Sequence, residues 1–255
     1  MPDVMSSRSS RSSVSRLVGV GVGPGDPELV TVKGVNALRA ADVVVVPVMD
    51  TLERGRAEAT VLHYVGAEKI VRVVFALNER SDRGRREAAW DAAGARVAEL
   101  LGAHSVVAFA TIGDPNVYST FTYLAHTIGE LLPSVVVETV PGITAMQDLA
   151  ARSGAVLTEG TEPLTLVPVT AGAAVLKEAL KGPGTVVAYK FGRQAREVAE
   201  ALRESGRIGD AVWGSALGLA EESIRPAGEL DGAPLPYLST LIAPAPRDGG
   251  RGGKL

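Results

Sequence analysis

Val43 to Val46 is an unbroken run of valines. β-Branched side chains stiffen the backbone into extended conformations, and a run without polar interruption suits a parallel strand covered on both faces. Leu17–Val22, Ile70–Phe75, Ser105–Ala110 and Val135–Glu138 are further short apolar runs. Helical signals separate them. Asp26 and Pro27 form a cap and N1 pair ahead of a helix reaching Ala40. A helix follows over Ala57–Tyr64, then an Ala-rich one over Arg85–Leu101 and another starting near Asn116. The order βαβαβαβαβ predicts a mostly parallel sheet flanked by helices.

The pattern changes after a helix over Thr144–Arg152. Leu164–Val167, Thr185–Tyr189, Ala211–Ala216 and Leu238–Ala243 read as strands, with helices over Ala173–Leu180 and Arg193–Ser205. Shorter spacings predict a mixed sheet. The expected fold class is therefore α/β, with an N-terminal domain over 16–133 and a C-terminal one over 134–245. Met1–Ser15, rich in Ser with Arg8 and Arg11, reads as a disordered leader, and the Gly-rich stretch 246–255 as a disordered tail.

Composition narrows the chemistry. Cysteine is absent, which removes disulfides, thiolate metal sites and a cysteine nucleophile. A net charge of −3 and 4% aromatic residues offer neither a polyanion field nor a base-stacking platform, so no nucleic-acid partner is expected. No apolar run approaches the ~20 residues of a membrane span. His63, His104 and His126 lack metal-ligand spacing, and no metal is expected.

Gly-bearing turns at strand ends carry the functional signal. Gly19-Val20-Gly21-Val22-Gly23-Pro24-Gly25-Asp26 follows a strand and opens a helix. It fails the dinucleotide fingerprint because Pro24 and Asp26 stand where the last Gly is needed, and it lacks the Gly-Lys-Ser/Thr of a phosphate loop. A phosphate-free ligand suits it better. Thr111-Ile112-Gly113-Asp114-Pro115-Asn116-Val117-Tyr118-Ser119-Thr120 follows another strand, with Asp114 and Pro115 able to cap and open a helix. Val140-Pro141-Gly142-Ile143-Thr144-Ala145 is a third such turn, with Thr144 as an N-cap. Strand carboxyl ends are where ligands of open parallel sheets bind.

In this order the three motifs resemble those of the tetrapyrrole methylase family, over Leu17 to Ala243. Within it, Ala108–Pro115 running into Tyr118-Ser119-Thr120-Phe121 and Tyr123-Leu124 is similar to the C20-methylating group acting on precorrin-2. Trp90-Asp91-Ala92-Ala93 and Pro236-Tyr237-Leu238-Ser239 point the same way. The resemblance implies two α/β domains with S-adenosylmethionine in the cleft between them, and C20 methylation giving precorrin-3A for cobalamin. It also implies a homodimer, and the absence of cysteine fits a cytoplasmic enzyme. A cobalt-containing substrate, another tetrapyrrole, a diphthine substrate and a non-catalytic ligand sensor are the alternatives.

By position, Ile112, Gly113, Asp114 and Val117 would line the methionine and ribose side of the cofactor, with Thr144 and Ala145 nearby. Tyr189 and Lys190, then Ser215, Ala216 and Leu217, match further cofactor contacts. Lys190 stands where relatives often carry an apolar residue, so its backbone is the expected contact. Gly23, Pro24, Gly25 and Asp26 would border the tetrapyrrole.

Precorrin-2 carries carboxylates, and Arg80, Arg83, Arg85 and Arg86 cluster after the third strand. Arginine forks suit carboxylates, although a solvated helix face explains such a cluster equally well. The sulfonium methyl is already electrophilic, so alignment is the main task. The ring must afterwards lose a proton; Asp114 and Tyr118 are acceptors by location, as is water.

Overall fold

The computed structural model describes residues 14–75 and 83–247, with only the backbone of Arg83 and Arg85. The chain folds into two compact units. One comprises the chain up to Gly21 together with Val32–Pro141; the other comprises Val22–Thr31 and the chain from Gly142 onward.

The first unit holds strands β1 (Arg16–Gly21), β2 (Val43–Val48), β3 (Ile70–Val74), β4 (Val106–Thr111) and β5 (Val136–Val140). They form a fully parallel sheet in the order β3-β2-β4-β1-β5. Helices α1 (Val32–Ala40), α2 (Arg56–Val61), α3 (Arg83–Ala103) and α4 (Phe121–Leu131) connect it. Alternate residues Leu17, Val43, Val45, Val107 and Phe109 join Val97, Phe121, Leu124 and Ile128 in one buried cluster. Phe109 sits 5.5 Å from Phe75 and 5.7 Å from Phe121, centroid to centroid. The Phe121 ring lies where a Cβ of Gly19 would project. A side chain at position 19 would displace an aromatic group whose burial contributes about 1.5–3 kcal/mol.

In the second unit, β6 (Leu164–Pro168), β7 (Thr185–Tyr189), β8 (Val212–Ser215), β9 (Ser223–Pro226) and β10 (Ser239–Ala243) make a mixed sheet, β6-β7-β10-β8-β9. Only the β6–β7 pair is parallel. Leu149 and Ala150 of α5 (Ala145–Ser153) pack with Val187, Leu217 and Ile242. Leu176 of α6 (Ala174–Ala179) and Val198 and Leu202 of α7 (Ala195–Glu204) cluster instead with Val186, Phe191, Trp213 and Leu241. Buried Arg207 spans several strand and helix ends by donating to the carbonyls of Leu180, Gly182, Gly184, Ala243 and Pro244.

Several boundaries differ from the sequence expectation. The helix expected from Pro27 to Ala40 is a 3-10 turn (Pro27–Leu29), capped by Asp26, followed separately by α1. The helix expected near Asn116 begins at Phe121, because Tyr118 is left-handed at φ 51° and no helix runs through such a residue. The expected domain boundary after 133 falls before β5, which pairs with β1 and keeps the first unit continuous to Pro141. Strand β9, at the sheet edge, has too little apolar character for the sequence to reveal.

Ser15, assigned to the leader, accepts the Val136 N–H at 3.0 Å. Arg247, assigned to the tail, is held by Glu162 at 3.0 and 2.5 Å. The remainder of both expected disordered segments lies outside the described residues.

Candidate active site

Adjacent strands β1 and β4 end together, with Gly21 opposite Thr111. From β1 the chain next enters the sheet on one side at β2, and from β4 on the other at β5. Both turns lie at the carboxyl ends of parallel strands, the end at which open α/β sheets bind their ligands. Ile112, Gly113 and Asp114 follow β4 directly.

Gly113 is left-handed at φ 71°. Asp114, buried, bends the chain back by accepting the Asn116 N–H on Oδ1 at 2.7 Å. This Asx turn replaces the helix cap expected of Asp114. Ser119 does the local capping: its hydroxyl accepts the Phe121 N–H at 3.1 Å and pairs with Thr111 Oγ1 at 2.8 Å. Between them lie Val117 and Tyr118, and Tyr118 is 41% exposed. Burial of part of the ring nevertheless raises the phenol above its ordinary range.

In the second unit, Thr144 precedes α5. Gln147 reaches back from the third helical position, its Oε1 accepting both the backbone N–H and the hydroxyl of Thr144 at 2.8 Å. Tyr189, at the end of β7, accepts the Met146 N–H at 3.2 Å and donates to Thr144 Oγ1 at 3.3 Å. The first turn of α5, with Ala145, is thereby locked to the end of β7. Lys190 follows at φ 59°, its ammonium 5.7 Å from the Tyr237 ring centroid. Ser215 ends β8, and Ala216 and Leu217 follow, Ala216 at φ 51°.

Tyr118, Lys190 and Ala216 are the non-glycine residues of positive φ among the described residues. Each left-handed L-residue costs about 1–2 kcal/mol. All are residues that the sequence assigned to the site. Lys190 and Ala216 directly follow β7 and β8, and Tyr118 lies in the loop between β4 and α4.

The Gly23–Asp26 loop belongs to the second unit. A Cβ on Gly25 would collide with the Leu217 carbonyl oxygen, and one on Gly218 with the Asp26 nitrogen. The glycines thus admit protein backbone where a phosphate loop would admit phosphate, which agrees with the failed nucleotide motifs. Sequence reading missed this partner, and also Arg152 and Glu222. Glu222 accepts the Gly218 N–H at 2.7 Å and takes both arms of the Arg152 fork at 2.5 Å. No short motif signals them.

Of the arginine cluster, Arg80 lies outside the described residues, and Arg83 and Arg85 are placed only as backbone in the first turns of α3. Arg86 lies over the Trp90 ring at 5.5 Å, and Trp90 stacks on Tyr123 at 4.5 Å. Among the described residues no His, Asp and Glu cluster has the makings of a metal site, and no helix is long and apolar enough to cross a membrane.

The family model for tetrapyrrole (corrin/porphyrin) methylases matches residues 16–231. The precorrin-2 C(20)-methyltransferase of a Sinorhizobium species is 30% identical, the match covering 92% of this chain and 97% of that one. The cobalt-precorrin-2 C(20)-methyltransferase of Salmonella typhimurium is 31% identical, covering 89% and 95%. The cobalamin biosynthesis protein CobIJ of Mycobacterium tuberculosis is 33% identical over 92% of this chain, which spans about half of that protein's length, 47%. Among solved structures, the cobalt precorrin-4 methyltransferase CbiF superposes with a TM-score of 0.69 at 21% identity, covering 90% of this chain and 94% of that one. That likeness establishes the fold alone. With its motifs at the strand ends and a family match spanning both units, the chain belongs to the tetrapyrrole methylase family.

Proposed function

We propose that the protein transfers the methyl group of S-adenosylmethionine to C20 of precorrin-2, giving precorrin-3A in cobalamin biosynthesis. The observation that carries this reading is near-full-length similarity to two C20-methyltransferases at 30% and 31% identity.

The residues present suit S-adenosylmethionine. It bears no phosphate, and the Gly23–Asp26 loop has its close-approach space filled by Leu217 and Gly218. Small or glycine residues, Gly113, Ala145 and Ala216, stand at the strand-end turns, two of them left-handed. Ile112, Gly113, Asp114 and Val117 are the cofactor residues that the resemblance assigns after β4, and Thr144, Ala145, Tyr189, Lys190, Ser215, Ala216 and Leu217 are the others that it assigns. When bound, S-adenosylmethionine supplies a methyl group on a sulfonium, electrophilic enough to need no metal.

The chain's task is then positioning, which can contribute about 7–11 kcal/mol. Hydrogen bonds made by Asp114, Ser119, Gln147 and Tyr189 hold these turns before any ligand arrives. Once C20 has gained the methyl it must release its proton. Tyr118 serves as a hydrogen-bond donor through its phenol, and Asp114 takes the proton. Gly23, Pro24, Gly25 and Asp26 would border the macrocycle, and an arginine of the Arg80, Arg83, Arg85 and Arg86 cluster would suit its carboxylates.

Incubation with precorrin-2 and carbon-13-methyl S-adenosylmethionine, followed by NMR of the product, tests this. A new methyl on C20 supports it; a methyl on any other carbon, or none, overturns it. Running metal-free and cobalt-loaded substrate side by side separates the two relatives' chemistries.

A further inference from the structure

Glu222 stands outside the assigned cofactor set, yet it anchors the turn that carries part of it. Its Oε2 accepts the Gly218 N–H at 2.7 Å. Both its oxygens are gripped by Arg152 at 2.5 Å, and Arg152 is in the last turn of α5, the helix that Thr144 opens. The turn is otherwise closed by Leu219 N–H to Ala216 carbonyl at 3.0 Å and Glu222 N–H to Leu219 carbonyl at 3.1 Å. It contains two closely spaced demands on the backbone, left-handed Ala216 (φ 51°) and left-handed Gly218 (φ 73°). An L-residue such as Ala216 leaves that conformation unless its surroundings hold it there.

The same turn is keyed to the first loop. Gly25 and Gly218 face one another's neighbours so closely that neither tolerates a Cβ. Moving Leu217 or Gly218 therefore moves Gly25 and Asp26, because packed backbone cannot slide by fractions of an ångström without clash. One side of this contact carries cofactor residues, and the other carries residues assigned to the tetrapyrrole.

We propose that Glu222 is a positioning residue that holds the Ala216–Gly218 turn in its left-handed form and thereby couples cofactor binding to tetrapyrrole binding through the Gly25–Gly218 contact. The coupling rests on the site assignment given under Proposed function. A cofactor that favours the ordered turn favours the seated loop, and reciprocity requires the tetrapyrrole to tighten cofactor binding by the same factor.

Calorimetric titration of the full chain tests the idea. The probes are S-adenosylhomocysteine, which has no methyl group to transfer, and sirohydrochlorin, the two-electron oxidised form of precorrin-2. In the wild type, saturating S-adenosylhomocysteine tightens sirohydrochlorin binding about fivefold or more. Glu222→Ala abolishes that dependence, and Glu222→Gln, whose amide oxygen still accepts the Gly218 N–H, restores most of it. Arg152→Lys keeps the charge, loses one arm of the fork and gives an intermediate value; it also serves if Glu222→Ala does not fold. A structural role alone would lower the melting temperature of these variants and leave the coupling factor unchanged. Undiminished coupling in folded Glu222→Ala or Arg152→Lys overturns the proposal. So does a wild type that binds both probes independently, with the site assignment intact. A wild type that binds neither probe overturns the site assignment itself.

Discussion

The Tyr189 hydroxyl accepts the backbone N–H of Met146 at 3.2 Å, tying the end of β7 to the first turn of α5. Helix N-termini leave N–H groups without intrahelical partners. Here a side chain from another strand satisfies one of them, and donates its own proton to Thr144. Tyr189→Phe removes both bonds while preserving the ring. It should reduce stability by about 1 kcal/mol and raise the KM for S-adenosylmethionine several-fold with a smaller change in kcat. Steady-state kinetics beside urea unfolding would show this; an unchanged KM would remove Thr144 and Ala145 from the cofactor set.

Asp114 forms the turn before Asn116 and is the proton acceptor we propose. Asp114→Asn retains an oxygen for the Asn116 N–H, so the turn survives. Loss of a positioned base typically costs about 10²-fold or more in rate. The expected result is such a fall in kcat with cofactor affinity little changed. A kcat within a factor of two of wild type would hand the proton to water.

Asp148 is buried, and its Oδ2 makes no hydrogen bond among the described residues. Burial first, then the charges of Glu222 and Asp26, raise its carboxyl above the ordinary range, against the opposing pull of Arg152 3.8 Å away. A carboxyl whose folded pKa exceeds its unfolded one favours the folded state only when protonated. Its cost is therefore present at pH values above the folded pKa and is relieved as pH falls through it. Asp148→Asn should be more stable than wild type at pH 8, by about 1 kcal/mol. The difference should shrink as the medium turns acid. Urea midpoints across that range are the measurement, and a gap that widens with acid contradicts the assignment.

Arg207 donates to five backbone carbonyls, among them those of Gly184 at 2.9 Å and Ala243 at 3.0 Å. Burial lowers its pKa, which Asp210 partly offsets. Lysine has a point-like head and cannot span those acceptors. Arg207→Lys should cost about 2–3 kcal/mol, since buried carbonyls lose donors that water cannot replace. Chemical denaturation reads this directly, and cofactor affinity measured below the transition should stay at the wild-type value.

Much of the architecture was legible because it depends on local chemistry. Valine runs specify covered strands, and a residue such as Thr144 ahead of an apolar-periodic stretch specifies a helix start. Both sheets and most helices follow from that. Gly113, Thr144, Lys190 and Ala216 were assigned to the site through motif resemblance, and the strain found at Lys190 and Ala216 supplies a physical reason those positions are special. The helix expected at Asn116 was misplaced because Asp114-Pro115 is compatible with both a cap and an Asx turn. Only the left-handed Tyr118 decides between them.

The sequence alone thus determined the α/β class, the strand-end turns and the family motifs, since each depends on backbone preferences within a few residues. The tertiary structure alone decided that Val22–Thr31 belongs with the second unit, that Gly25 abuts Leu217, and that Glu222 holds Gly218 and Arg152. Gly25 and Leu217 are far apart in the chain, and neither residue type nor periodicity records which backbone will fill the space beside a glycine. Steric fit between folded segments makes that choice, and it exists only once both segments have been placed.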